Sequence, residues 1–580
     1  MKRTILAVLM IALALVALAA PMAFAQAPAP KVTITGLIDN LTSYSHNITN
    51  YNGGVFNRAD QMWWARTRGR FDIIGEVGKV KGVLGLELDF AYGQTGSSES
   101  NFTNGGGATG NAVAPTIHSG LGTDGSFGLN TDVRGILEIK WLYVEFPVPL
   151  IPVPTTARIG AQPFGTASSF KVCTFTCSDF SGLNITSQVT PNVKVLATYV
   201  QIAESLTGIQ SKTNLPFAQS GGASQSQVRG DDFAYILSPE ITVFKGLDVK
   251  PMFSMLYAAG QLPGNDGAAR QGRGGIPVTP SAVFGGGSAF TNPDGSGNVR
   301  GNTNEYRYTV GLDSKLRMGP FSLDPQVMYQ FGEVNRVTPS NGVASVTQSA
   351  PPPITDSGAV PGQLRHARLD AWFFDVRAGY QLGPLLFEGL GMYTTGNTRR
   401  NNTLGTTRYF QPLTTDTGYL ADWGTSLSSL GVDYLNAWGE NSGRLAYPGV
   451  SIGYDKYGRA QLGLKATYAL TPALSAMAGW NILWTAEKVD RNSIPVAGAG
   501  WAPVYGTNPG NTGPNRNPSR YLGQEIMALL TWRFADGLSW DNQFGYFFSG
   551  PAMDANTEPL LGSRNVKDPY MLTSRIRFTF

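Results

Sequence analysis

The sequence predicts an all-β protein, a transmembrane antiparallel β-barrel of eighteen strands, with sixteen inside the margin of the count. Three observations carry this. Long segments alternate apolar and charged residues with a period of two, and short and long connections between them alternate in turn. In addition, no segment after the N-terminal one offers the roughly twenty uninterrupted apolar residues that a membrane helix needs. The period is clearest in Ala65 to Gln94. Arg66, Arg68, Arg70 and Asp72 fall on one face, and Ala65, Thr67, Gly69, Phe71 and Ile73 on the other. After the turn at Gly75 to Lys79, Gly82, Leu84, Leu86, Leu88 and Phe90 lie against Lys81, Glu87 and Asp89. Successive side chains of a strand point to opposite faces, so this is a hairpin with one apolar and one charged side. Each arm runs to about ten residues or more, enough for a tilted strand to cross a bilayer, whereas strands of soluble sandwiches usually run to about five or six.

The N-terminus has Lys2 and Arg3, an apolar run from Ile5 to Ala20, and Ala23-Phe24-Ala25 before Gln26. These are the parts of a secretory signal peptide with a small-residue cleavage site. Residues 1–25 are therefore set apart, and 26–580 are read as one barrel domain. With 42% hydrophobic and 14% charged residues the chain is not disordered by composition, and its 71 Gly and 36 Pro punctuate many short elements. A net charge of +4 over 580 residues, without a basic cluster interleaved with aromatics, argues against a nucleic-acid partner.

Taken in order, strand one covers about Val32 to Tyr44, and the hairpin supplies strands two and three. A Gly, Ser, Asn and Thr-rich stretch from Thr95 to Asp132 follows. Strand four, about Val133 to Phe146, sets Leu137, Ile139, Trp141 and Tyr143 against Glu138 and Lys140. A proline-rich turn leads to strand five at Ala157 to Gln162. Strands six and seven meet at Thr190-Pro191-Asn192, eight and nine at Phe244-Lys245-Gly246, and ten and eleven at Arg317 to Pro320. The last three hairpins turn at Gly383-Pro384, Thr471-Pro472 and Asp536-Gly537, and a final strand runs from about Tyr570. Tight and long connections alternate strictly, which puts both termini on one side and fits short turns on one face of a membrane and long loops on the other. Aromatics such as Trp63, Trp141, Tyr143, Trp372, Trp484 and Trp532 gather near predicted strand ends, where membrane–water interfaces would lie.

The chain ends with Ile576, Phe578 and Phe580 on one face and Arg575, Arg577 and Thr579 on the other. This ending resembles that of the outer-membrane β-barrel proteins of Gram-negative bacteria, in which a C-terminal Phe is read by the barrel-assembly machinery. The resemblance implies an outer-membrane location among lipid and lipopolysaccharide.

Catalytic constellations are sparse. His46, His118 and His366 fall in or beside long loops without a motif, so no enzyme, cofactor or metal site is expected. Cys173 and Cys177 lack the C-x-x-C-H of haem attachment and the four ligands of a zinc site, which leaves a small loop disulfide in an oxidising periplasm as the better reading.

By parity the interior carries Arg66, Arg68, Arg70, Lys81, Lys140, Arg158, Lys194, Lys250, Arg307, Lys315, Arg377, Lys465, Arg533, Arg575 and Arg577. Against them stand Asp72, Glu87, Asp89, Glu138, Asp313, Asp375, Glu388, Glu525 and Asp541. Such charges are costly in a dry core and cheap along a water-filled channel, and a barrel of about sixteen to eighteen strands is wide enough for one.

With the hairpin at 65–90, ARIGAQPFG at 157–165, the hairpin at 182–200 and the final Phe580, the chain resembles a Gram-negative outer-membrane porin. The resemblance implies passive diffusion of small hydrophilic solutes and ions, as a monomer or a homotrimer. It also implies a third extracellular loop folded inward to face a basic ladder on the wall. Here loop three is 163–182, with Lys171, Asp179 and the cysteine pair, and Arg66, Arg68 and Arg70 match the ladder in type. The excess of basic residues suggests a mild anion preference. Two rival readings are a substrate-specific channel, which would show an aromatic track along its lumen, and a surface adhesin built on the long loops. Most aromatics fall on the outward parity, which speaks against the first.

Overall fold

The computed structural model describes residues 29–47, 61–91, 136–164, 169–171, 174–176, 179–203, 232–258, 305–337, 364–396, 406, 408, 410, 413, 423, 458–489, 519–551 and 568–580. Residues 1–28, and with them the expected signal peptide, lie outside that set, as do Cys173, Cys177 and His118.

Eighteen strands form the wall. They are β1 (Lys31–His46), β2 (Gln61–Val77), β3 (Val80–Ala91), β4 (Ile136–Pro147), β5 (Thr155–Pro163), β6 (Asp179–Thr190), β7 (Val193–Ala203), β8 (Asp232–Phe244) and β9 (Leu247–Ala258). Then follow β10 (Glu305–Met318), β11 (Phe321–Val337), β12 (Leu364–Leu382), β13 (Leu385–Thr394), β14 (Ala460–Ala469), β15 (Leu474–Val489), β16 (Ser519–Ala535), β17 (Leu538–Ser549) and β18 (Tyr570–Thr579). Every strand pairs antiparallel with its chain neighbours, and β18 pairs with β1 from Leu37 opposite Thr579 to His46 opposite Tyr570. The sheet is thus a closed barrel without a free edge, the one way a sheet satisfies all its backbone groups in lipid.

The strand count and the tight turns match the sequence reading; most strands extend one to five residues beyond it. The turns form where the sequence supplies the needed backbone. Gly383 has φ 56° and is followed by Pro384, which cannot continue the ladder. Gly537 has φ 71°, and a Cβ there would stand 2.4 Å from the carbonyl oxygen of Thr579. The C-terminus itself closes the seam. Phe580 N–H donates to Gly36 O and Gly36 N–H to Phe580 O, both at 3.0 Å, while the Phe580 ring packs 6.0 Å from Phe71 and 5.4 Å from Phe578.

The outer face is apolar, with Val144, Ile159, Leu237, Val310, Val376, Leu464 and Leu572 exposed between two rows of rings. One row runs through Tyr44, Trp63, Tyr570, Tyr546, Tyr393 and Trp372, and the other through Phe71, Phe578, Trp540, Trp532, Phe387 and Tyr380. Among the described residues no helix is long and apolar enough to cross a membrane. The buried apolar cluster lies on the inner face of β7 to β13, where Val200, Ile236, Met252, Leu256, Met328, Phe373 and Met392 meet Phe180 at the start of β6 and Phe164, Phe175, Phe410 and Trp423 from the connecting loops.

One strand departs from the sequence reading. Trp141 and Tyr143 were expected outside, in line with Ile139. A bulge shifts the β3–β4 register between Gly85 and Leu86, so that Gly85 faces Trp141 while Leu86 faces Ile139 and Lys140 is the extra residue. One added residue inverts the face of everything beyond it. Ile139 stays outside, whereas Trp141, Tyr143 and Glu145 turn inward beside Lys140. The strand has room for this because position 85 is glycine: a Cβ there would come 2.7 Å from the Trp141 ring and 3.1 Å from Asp72 Oδ1.

Candidate functional site

The barrel interior has two unlike walls. On the first, β17, β18, β1, β2, β3, β4 and β5 carry charges in register. Across β18, β1 and β2, Arg577 stands opposite Asp39 and Asp39 opposite Arg68; one step away Arg575 and Arg66 flank Leu41, and Arg70 lies opposite Leu37. Three guanidinium groups from two strands converge on one buried carboxylate, and Arg68 and Arg70 continue the row beside it. Asp39 lies 3.4 Å from Arg577 Nε, 3.6 Å from Arg575 Nε and 3.9 Å from Arg66 Nη2. Arg575 Nη2 also pairs with Asp541 at 3.0 Å. Next along the wall, Glu87 is the shared partner of Arg68 at 3.3 Å, of Arg70 in a short hydrogen bond, and of Lys140 at 3.5 Å. Three cations around one carboxylate leave the group net positive. Arg70 and Arg577 keep 35% of their side chains exposed, on the inner side.

β4 to β6 continue this wall. Lys140 Nζ pairs with Asp179 Oδ2 at 3.1 Å, and Trp141 Nε1 donates to Asp179 Oδ1 at 2.7 Å. Arg158 Nη2 meets Glu145 Oε2 at 2.7 Å and lies 4.6 Å over the Tyr143 ring. The bulge thus adds two aromatic faces to a charged surface.

The second wall, β8 to β15, is covered by chain that folds inward from two loops. In the loop between β5 and β6, Lys171 Nζ donates to Asp313 Oδ1 on β10 at 2.6 Å, and Ser169 Oγ and Phe170 N donate to Asp313 Oδ2 at 2.8 and 2.6 Å. Gln326 Nε2 on β11 donates to Ser169 Oγ at 3.0 Å. The Phe170 ring lies between Lys315 Nζ at 4.4 Å and Lys250 Nζ at 5.2 Å, cations held over an aromatic face. Farther on, Phe175 packs beside Phe410 of the β13–β14 loop, which in turn lies 5.1 Å from Phe373 on β12. Leu413 N–H donates to Phe175 O at 2.9 Å, so the two loops are bonded to each other. Trp423, from the same long loop, sits on Gly463 with Lys465 Nζ 4.4 Å over its ring, and its carbonyl accepts from Asn481 at 3.2 Å.

The expected site residues sort accordingly. Arg66, Arg68, Arg70, Glu87, Lys140, Arg158 and Asp179 come together on the first wall. Asp72 lines the same wall beside Gly85. Glu138 is exposed opposite Glu87, and register places Asp89 opposite Arg68. Lys171 is elsewhere: it faces β10, not the ladder, because Asp313 gives its ammonium a buried partner. Asp179 opens β6 and belongs to the wall rather than to the loop. His46 ends β1 with its ring stacked 5.4 Å from Tyr570, and His366 lies on β12, opposite Asn335. Sequence parity missed Asp39, Glu145, Glu240, Glu305 and Asp324, which all pair with inner cations and nearly cancel the expected basic excess. Asp39 could have been found, since it alternates with Ile38 and Asn40 on the first strand; Glu145 could not, because the bulge inverts its face. Among the described residues no group of three His, Cys, Asp or Glu is placed to hold a metal ion.

Fold and site together define a closed eighteen-strand barrel with a charged inner wall and loops folded into its interior. No family model and no curated protein matches the chain. Among solved structures it is similar to Pseudomonas aeruginosa OccK8 (OprE), at 12% identity and a TM-score of 0.44 over 95% of this chain and 98% of that one. It is also similar to P. aeruginosa OpdL, at 9% and 0.43 over 95% and 99%, and to Acinetobacter baumannii OccAB1, at 12% and 0.42 over 94% and 97%. These likenesses leave the chemistry of the interior to be read from the chain's own residues.

Proposed function

We propose that the chain is a porin of the Gram-negative outer membrane, a water-filled channel through which small hydrophilic solutes and ions diffuse passively. The observation that carries this is the ladder of Arg66, Arg68, Arg70, Arg575 and Arg577, more numerous than the carboxylates among them and partly open on the inner face. Taking each such ion out of water costs on the order of several kcal/mol, whereas beside water a row of them is stable. The apolar outer face between two aromatic rows supports the membrane placement, being cheap in hydrocarbon and costly in water. The passage runs along the charged wall, since the opposite wall lies under the two loops. Selection is by width between ladder and loops, biased toward anions by the local excess of guanidinium charge. Lipid and lipopolysaccharide would surround the barrel, the assembly machinery would read Phe580, and a Cys173–Cys177 disulfide would pin loop three.

A proteoliposome swelling assay with sugars and amino acids of rising size tests the reading. Rates that fall smoothly with solute size are expected; vesicles that swell no faster than empty ones would refute an open channel. One observation favours a second reading, a substrate-specific channel: Trp141 and Tyr143 lie inside, beside Lys140 and Arg158, where a passing solute with a flat apolar part would meet them. Flux that saturates with one solute and is competed by its analogues would mark that alternative.

A further inference from the structure

We infer that a groove on the lipid-facing surface of β12 to β15 binds one acyl chain of a phospholipid, in the leaflet next to the tight turns. The groove has a volume of about 620 Å³ and is lined by two rows of outward residues. In the first, Ala378 stands opposite Gly389, Gly389 opposite Leu464 and Leu464 opposite Trp480. In the second, Tyr380 stands opposite Phe387, Phe387 opposite Ala466 and Ala466 opposite Ala478. Tyr380, Phe387 and Leu464 are exposed on the lipid side, whereas Glu388 and Lys465, which alternate with them, pair at 3.2 Å on the inner side. The inference rests on the membrane placement of this surface and is independent of what the interior conducts.

The trough exists because the sequence puts small residues where the wall elsewhere carries bulky ones. Its floor is Ala378, Gly389, Ala466 and Ala478, and its sides are the rings of Phe321, Tyr380, Phe387 and Trp480. Followed onto β11 and β10, the row of Ala378 continues as Leu323 and Leu316, where the wall is full again. In the other direction the row of Ala466 and Ala478 continues as Ala528 and then meets Phe544. Trp480 Nε1 donates to Gln524 Oε1 at 3.1 Å, which fixes the indole and satisfies its one polar group, leaving an apolar ring face for the groove. Every outward position of β12 from Trp372 to Leu382, and of β14 from Ala460 to Tyr468, is apolar.

Apolar surface in hydrocarbon has no hydrophobic drive to be covered, so close packing is what holds a ligand there. Dispersion is small for each pair of atoms and grows with the number of neighbours, and an empty trough forfeits those contacts. A chain of methylenes on a smooth wall touches protein on one side; in a trough between rings it touches protein on three. Short turns of outer-membrane barrels face the periplasm. Tyr380 and Phe387 flank the tight turn at Gly383-Pro384, so the groove lies in the periplasmic leaflet, which is built of phospholipid. With only apolar groups facing outward, the groove fits the acyl chain of that lipid and not its headgroup.

Phosphatidylethanolamine with a photoactivatable diazirine in its acyl chain tests this, as a minor component of phosphatidylethanolamine and phosphatidylglycerol vesicles that hold the mature chain. Mass spectrometry is expected to place adducts on 378–389 and 464–480 several-fold more often than on 247–258 of β9. Ala466→Leu, which fills the floor, should lower the adducts on this face several-fold and leave those on β9 unchanged. Heat-modifiable migration confirms that each variant is folded. Should Ala466→Leu fail that check, Gly389→Leu reads the same groove, since a Cβ there meets Leu464 Cδ2 at 3.7 Å and Gly463 O at 3.9 Å, both ordinary contacts. Adducts spread evenly around the folded barrel, or unchanged in a folded variant, would overturn the proposal. So would wild-type adducts missing from this face alone, since a second copy of the chain would then be covering it.

Discussion

The two walls of this barrel hold charge in opposite ways. On β18 to β5 the charged groups form an open lattice, with Asp39 and Glu87 each shared among three cations and Arg70 and Arg577 a third exposed. On β8 to β15 the key pair is closed: Lys171 and Asp313 are 4% and 2% exposed, and Phe175, Phe410 and Trp423 lie over the wall almost wholly buried. The difference teaches where water runs. A shared carboxylate with surplus guanidinium groups needs solvent beside it, whereas a one-to-one buried pair with hydrogen bonds to every oxygen does not. One wall is a surface for solutes, and the other is a mount for the loops that narrow the passage.

The comparison is broken most severely by removing the surplus charge. Arg66→Ala, Arg68→Ala and Arg70→Ala together should abolish the anion bias and turn it toward cations, because Asp39, Glu87 and Asp72 would stay behind. Reversal potentials in a salt gradient read the sign. Next in size is the mount. Removing one partner of a buried pair costs on the order of 3–5 kcal/mol, so Lys171→Met should release loop three from β10. Higher and noisier single-channel currents, and earlier protease cleavage within 163–182, are the expected results; quiet wild-type currents would show that the pair does not hold the loop. Asp313→Asn should act in the same direction and less strongly, since its amide oxygen still accepts from Ser169 and Phe170.

The smaller effects sharpen the first wall. Trp141→Ala should widen the passage near Asp179 and raise conductance modestly, while Gly85→Val should drive the Trp141 ring from its notch at a cost of about 1–3 kcal/mol, the usual penalty for overpacking. A drop in the temperature at which the heat-modifiable band unfolds measures the second. Arg158→Gln should change least, because Lys81 Nζ still faces Glu145 at 3.9 Å and Lys140 and Arg70 stay in place.

Much of this was legible in the chain. The strands and turns follow from a period of two bounded by Gly383-Pro384, Thr471-Pro472 and Asp536-Gly537, local signals that a closed barrel does not override. Arg66, Arg68 and Arg70 were readable for the same reason. The bulge at Lys140 was not, since its cause is a glycine on the neighbouring strand and its effect is to reverse parity beyond it. The inward loops were also hidden. Phe175, Phe410 and Trp423 lie in long stretches without periodicity, and only the glycine at 463 and the aromatic Phe373 on the wall give them a seat. Lys171 shows the same limit: its partner Asp313 is far along the chain, and no spacing could pair them.

The central claim, a water-filled passage along the arginine wall, is tested most directly by single-channel recording of the mature protein in planar bilayers, with reversal potentials taken under a salt gradient. Large, steady, ohmic steps with an anion-selective reversal potential, lost in the Arg66→Ala, Arg68→Ala, Arg70→Ala variant, are the expected result. A correctly folded barrel that passes no current, or whose selectivity is indifferent to the three arginines, would contradict it.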